Sequence, residues 1–167
     1  MDLERIVKQS NLEIFTPLEA AERQIDRAII LFLEDHDYIC AITLACAADG
    51  ILGDALRVQN KTAMIDLLKS ELQRFDLLSH LSPKQISDQH LNKIRNLLKH
   101  LSGDLNETIN HVTDIEAIIA IIRAAGNFIF ITERPTKKTV EFFEWLQREH
   151  PAIFEEAAKY GQSRLVK

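Results

Sequence analysis

The sequence predicts an all-α protein, a helical bundle of about five to six helices with extra helices at its C-terminal end. Three observations predict it. Apolar residues recur at helical spacing along most of the chain. Helix-start signals stand at Thr16-Pro17, Ser82-Pro83 and Thr113-Asp114. Five Gly and four Pro among 167 residues are too few for a turn-rich β-sandwich. With 46% apolar and 27% charged residues, the chain is long enough to bury a core without disulfide or metal staples. It reads as one domain over residues 1–167, with an N-terminal arm at 1–16, a core at 17–131 and a C-terminal helical extension at 132–167.

Thr16-Pro17-Leu18-Glu19 opens the first helix with a Thr cap, Pro at the first helical position and Glu three residues after the cap. Leu18, Ala21, Ile25, Ala28, Ile29, Phe32 and Leu33 form its apolar stripe. It ends in Glu34-Asp35-His36-Asp37, which reads as a solvated turn with Asp37 capping the next helix rather than as a metal cluster. The second helix runs from about Tyr38 to Val58, with Cys46 as a small core residue. Gly50 and Gly53 inside it each cost roughly 1 kcal/mol against Ala, so close helix contact is expected there. A third segment, about Lys61 to Leu81, has Ala63, Leu67, Leu68, Leu72 and Phe75 at helical spacing.

The next helix is expected from Ser82 or Ser87 to a closing Gly103, burying Leu91, Ile94, Leu98 and Leu101. Thr113-Asp114-Ile115-Glu116 is a capping box that opens the most apolar stretch, Ile115 to Ile131. Its length and its charges argue against a membrane span, and it suits a central helix or a subunit interface. Pro135 breaks the pattern. One or two short helices follow, carrying Phe142, Phe143, Trp145, Leu146 and Phe154.

Charge and motifs exclude several function classes. No apolar run follows a basic start, so no signal peptide is expected, and Cys40 and Cys46 would point about 120° apart on one helix and cannot pair. A reduced, cytoplasmic setting without a membrane role is the plain expectation. The net charge of −5 argues against bulk attraction to nucleic acid. Residues 82–103 are the exception, with Lys84, Lys93, Arg95 and Lys99 against Asp88. There is no Gly-rich phosphate loop, nucleophile elbow, paired-Cys zinc spacing or His-Glu-x-x-His, so no cofactor and no metal are expected.

The arrangement with chemical content is Arg95-Asn96-Leu97-Leu98-Lys99-His100. With Ile94 centred on the apolar stripe and about 100° per residue, Arg95, Asn96, Lys99 and His100 share the opposite face. Asn96 and His100 are four apart, so Asn96 can orient the imidazole. Arg offers a planar fork for phosphate oxygens and His can pass a proton near neutral pH, which suits holding and cleaving a phosphodiester. A solvated polar helix face, with its cations near the helix C-terminus, explains the same residues without chemistry.

The order of features resembles the HEPN superfamily of helical-bundle domains. The residues that carry the resemblance are the helix Leu18–Leu33 with Glu22-Arg23-Gln24-Ile25, the stretch Tyr38-Ile39-Cys40-Ala41-Ile42-Thr43-Leu44-Ala45, and Arg95-Asn96 with His100. The similarity covers about residues 17–130, and its specific element is Arg, a polar residue, then His. It implies an up-and-down core and metal-independent endoribonuclease activity, in which attack of a ribose 2′-OH leaves 2′,3′-cyclic phosphate ends. It implies His100 as acid/base, Arg95 as stabiliser of the phosphorane charge and Asn96 as orienter. Lys99, Arg123, Asn127 and Asp49, the acid of the second helix, are the expected substrate-binding group, although a buried ion pair serves Arg123 equally well. Such domains act as toxins, phage-defence effectors or RNA-processing factors, which implies RNA, a homodimer and a nucleotidyltransferase-type antitoxin as partners. Other relatives are non-catalytic dimerisation modules that bind a nucleotide or a protein.

Overall fold

The computed structural model describes residues 13–73, 79–99, 108 and 114–165, which are helical throughout apart from turns and connections. Eight α-helices are present among them: α1 (Pro17–Leu33), α2 (Tyr38–Val58), α3 (Met64–Leu72), α4 (Pro83–Ile86), α5 (Lys93–Lys99), α6 (Asp114–Thr132), α7 (Lys137–Glu149) and α8 (Pro151–Leu165). A π-helical segment, Ser87–Leu91, links α4 to α5. The helix expected to run unbroken from Ser82 or Ser87 is split into α4, the π segment and α5, which adds one helix to the count, and α7 and α8 form the C-terminal extension.

Local chemistry sets most boundaries. The Thr16 hydroxyl accepts from the Glu19 amide at 3.2 Å, and the Glu19 carboxylate accepts from the Thr16 amide at 2.7 Å, closing the capping box that starts α1. Asp37 caps α2 by accepting from the Cys40 amide at 3.0 Å. That bond holds the Asp37 carboxyl below the usual carboxylate range. Ser82 and Gln85 form a second reciprocal box at α4. The expected segment from Lys61 to Leu81 is shorter as a helix: Ala63 is extended and serves as the N-cap of α3, which ends at Leu72, while Phe75 lies outside the described residues. Thr113, Gly103 and Leu101 also lie outside them.

Helices α1 and α2 form an antiparallel hairpin, and α6 packs along α2 as the other half of the central layer. The core comprises Ala21, Ile25, Ala28, Ile29 and Phe32 of α1, Ala41, Ile42, Ala45, Ala48 and Leu52 of α2, and Ala117, Ile118, Ile121, Ala124, Ala125 and Phe128 of α6. Leu18, expected on this stripe, is 37% exposed. The C-terminal extension belongs to the same core through Phe142 and Leu146, and Phe32, Phe142 and Trp145 meet edge to face or stacked. Arg134 pairs with Glu22, the Thr136 hydroxyl donates to Asp26, and Lys138 pairs with Glu34, fixing α7 on α1.

Close approach falls at a different glycine from those expected. A Cβ on Gly126 of α6 would meet Met64 Cγ at 3.0 Å, whereas one on Gly53 would meet ordinary contacts at 3.6 Å and one on Gly50 only Arg95 Nη2 at 4.0 Å. Helices α2 and α6 are long and apolar enough to cross a membrane by length and composition. They also carry Asp49 and Arg123, and about half of each apolar stretch is buried within the protein.

Candidate functional site

Helix α5 presents the basic end of the site. Ile94 is buried in the main core with Leu97 and Leu98 packed against it, so Arg95, Asn96 and Lys99 fall on the outer side. Arg95 and Asn96 are half-buried and Lys99 is exposed. His100 lies outside the described residues. Leu91, expected on the same stripe as Ile94, packs instead against a second cluster formed by Leu56, Ala63 and Ile65. The cause is a break at Asn92, whose backbone leaves the helix at φ −119° and ψ 7° and separates the π segment from α5.

An open pocket of about 270 Å³ lies between α2 and α5, with Thr43, Cys46 and Ala47 on one side and Arg95, Leu98 and Lys99 on the other. Arg95 runs over α2 at Gly50, where the missing side chain leaves it room. Among the described residues, no carboxylate forms an ion pair with Arg95 or Lys99. Two cations one helical turn apart at the mouth of an open pocket make a favourable place for an anionic group. Cys46 forms part of the floor, and burial pushes its thiol above the usual range despite the neighbouring Arg123 and Arg95 cations.

Asp49, Arg123 and Asn127 form a separate, interior network. Arg123 is 2% exposed, Asp49 6% and Asn127 0%. Arg123 Nη2 donates to Asp49 Oδ2 and, at 3.3 Å, to Asn92 Oδ1, while Nη1 donates to the Leu91 carbonyl at 2.9 Å. Asn127 Nδ2 donates to Asp49 Oδ1 at 2.9 Å, and Asn127 Oδ1 accepts from the Met64 amide at 2.8 Å. Asp49, Arg123 and Asn127 thus bond one another, Asn92 and the backbone, the buried ion pair that the sequence also allowed for Arg123. A small pocket of about 50 Å³, lined by Arg95 and Arg123 together with Glu116 and Cys46, is where the two regions adjoin.

Sequence reasoning did not find Asn92, Ser87, the Leu91 carbonyl or the Met64 amide as members of this network. The last two are backbone groups, and the first two carry no distinguishing spacing. Among the described residues no group of three His, Cys, Asp or Glu side chains could hold a metal ion, and Asp35-His36-Asp37 is the connecting turn with its helix cap. No family model matches the chain, and neither do any curated protein or solved structure.

Proposed function

We propose that the protein is a metal-independent endoribonuclease of the HEPN type, acting on single-stranded RNA at the Arg95–His100 face. The observation that supports this is the pairing state of Arg95 and Lys99, which border an open pocket with no carboxylate bound to either among the described residues. Arg95 holds the scissile phosphate and stabilises the charge that develops when the 2′-OH attacks. His100 transfers the proton, and Asn96 orients it. Unstacked bases of a single strand can be splayed into a pocket that a duplex cannot enter. The same reading makes the protein a homodimer joined through the N-terminal half of α6, where Ile115 and Ile119, one turn apart, are 38% and 37% exposed.

Purified protein incubated with a mixed-sequence single-stranded RNA in EDTA is expected to yield fragments with 2′,3′-cyclic phosphate ends and to leave the matching DNA intact. His100→Ala is expected to lower the rate by about 10²–10⁴-fold, the range for a general acid–base group. Intact RNA with the wild type, or unimpaired cleavage by His100→Ala, would overturn the proposal in favour of a non-catalytic module that binds a nucleotide or protein partner.

A further inference from the structure

We infer that Arg123 is a positioning residue for Arg95, and that the buried Asp49–Arg123 pair sets the phase of α5 by holding the junction between the π-helical segment and that helix. The inference rests on the reading of Arg95 as the working cation. Four hydrogen bonds meet at the junction. The Asn92 amide donates to the Ser87 carbonyl at 2.7 Å, the five-residue bond that defines a π turn, and Asn92 Nδ2 donates to Ser87 Oγ at 2.9 Å. Asn92 Oδ1 and the Leu91 carbonyl both accept from Arg123, each by a different guanidinium nitrogen.

The consequence follows from helix geometry. In an unbroken α-helix the Leu91 carbonyl has the amide of Arg95, four residues on, as its partner. Here Arg123 Nη1, from a helix 32 positions away in sequence, reaches that carbonyl. A π turn holds one residue more than an α turn, so removing it would rotate everything after it by about 100°. Ile94 would then leave the core and Arg95 would leave the pocket. The clamp is itself fixed, because Asp49 holds the guanidinium and Asn127 holds Asp49. A planar fork with several donors can bind a carboxylate, an amide oxygen and a backbone carbonyl at once, which a lysine ammonium on its flexible stem cannot reproduce in the same geometry. The orientation of the outer face of α5 is therefore set from inside the protein, through residues that do not touch the substrate.

The test uses Asn92→Ala and Arg123→Lys in the full-length protein. Asn92→Ala removes the side-chain bonds to Ser87 and Arg123 without stranding a buried charge, so it remains informative even if Arg123→Lys does not fold. Hydrogen–deuterium exchange is expected to rise at least about tenfold in peptides spanning residues 87–99 and to stay unchanged in peptides spanning residues 17–33, the mark of local opening. RNA cleavage is expected to lose about 10- to 100-fold in kcat with KM unchanged, because a small misplacement of a catalytic group harms the chemical step more than binding. Unchanged exchange over residues 87–99, equal acceleration everywhere, or faster local exchange with full kcat would each overturn the inference. A wild type that leaves RNA intact counts against the ribonuclease reading alone, and the exchange experiment then decides the clamp by itself.

Discussion

Arg95 and Arg123 border the same small pocket, yet their pairing is opposite. Arg123 sits on the apolar helix α6, nearly fully buried, with Asp49, Asn92 and the Leu91 carbonyl as partners. Arg95 sits on the half-exposed helix α5 beside Lys99, and no described carboxylate pairs with it. A guanidinium inside the core needs its counter-charge, because an unmatched buried charge costs several kcal/mol; Arg123 has Asp49 on Nη2, while its buried Nε has no partner. One at the rim keeps its charge available. The difference teaches that the identity of a residue type says little about its role, and that its pairing state says much more.

Substitutions can break this comparison. Asp49→Ala leaves Arg123 buried without its counter-charge and is expected to cost about 3–5 kcal/mol in urea denaturation. Arg95→Ala is expected to stay within about 0.5 kcal/mol of wild type, as surface changes do. Similar losses for the two would show that Arg95 is also committed to the fold.

The glycines sharpen the contrast between the packed and open sides. Gly126→Ala drives a methyl group to 3.0 Å from Met64 Cγ, which must give way, so the variant is expected to be less stable than Gly50→Ala by about 1 kcal/mol or more. Gly50→Ala has room and removes a helix-interior glycine, so thermal unfolding should show a gain of up to about 1 kcal/mol. Gly50→Glu places a carboxylate beside Arg95 and should depress RNA cleavage without harming stability.

Two smaller effects probe the local environments. Both thiols are pushed up, Cys46 by burial and Cys40 by its bond to the Asp37 carboxylate, so access decides between them, and Cys40 is exposed while Cys46 is buried. Iodoacetamide at pH 8 should therefore label Cys40 first, as peptide mapping by mass spectrometry will show. The smallest effect belongs to the cap of α2. The Asp37 carboxyl is lowered by its bond to the Cys40 amide, so it contributes stability above its unfolded-state value and loses it as pH falls through the folded one. The difference in Tm between wild type and Asp37→Ala should accordingly be present at neutral pH and shrink in acid.

The same contrast governs what was legible in the sequence. The start of α1 at Thr16 and the span Tyr38–Val58 can be read directly, because caps and apolar periodicity are properties of a few neighbouring residues. The split between Leu91 and Ile94 cannot, since their spacing of three fits a continuous helix and the break is stabilised by Arg123 from α6. Gly126 was less visible than Gly50 and Gly53 because the side chain that crowds it, Met64, comes from another helix. At the candidate site the outer placement of Arg95, Asn96 and Lys99 follows from a helical wheel drawn over one short helix. The alternative of a buried ion pair for Arg123 was also legible from its apolar surroundings. Its partners on the π segment were not, because they depend on tertiary contact.

The most direct test of the division between the two arginines is to measure RNA cleavage and thermal stability of Arg95→Ala side by side with the wild type. The expected result is a loss of about 10²–10³-fold in kcat, the cost of removing a charge-stabilising group, with Tm unchanged within about 2 °C. Full activity in Arg95→Ala, or a loss of activity that merely tracks a large fall in Tm, would contradict the account.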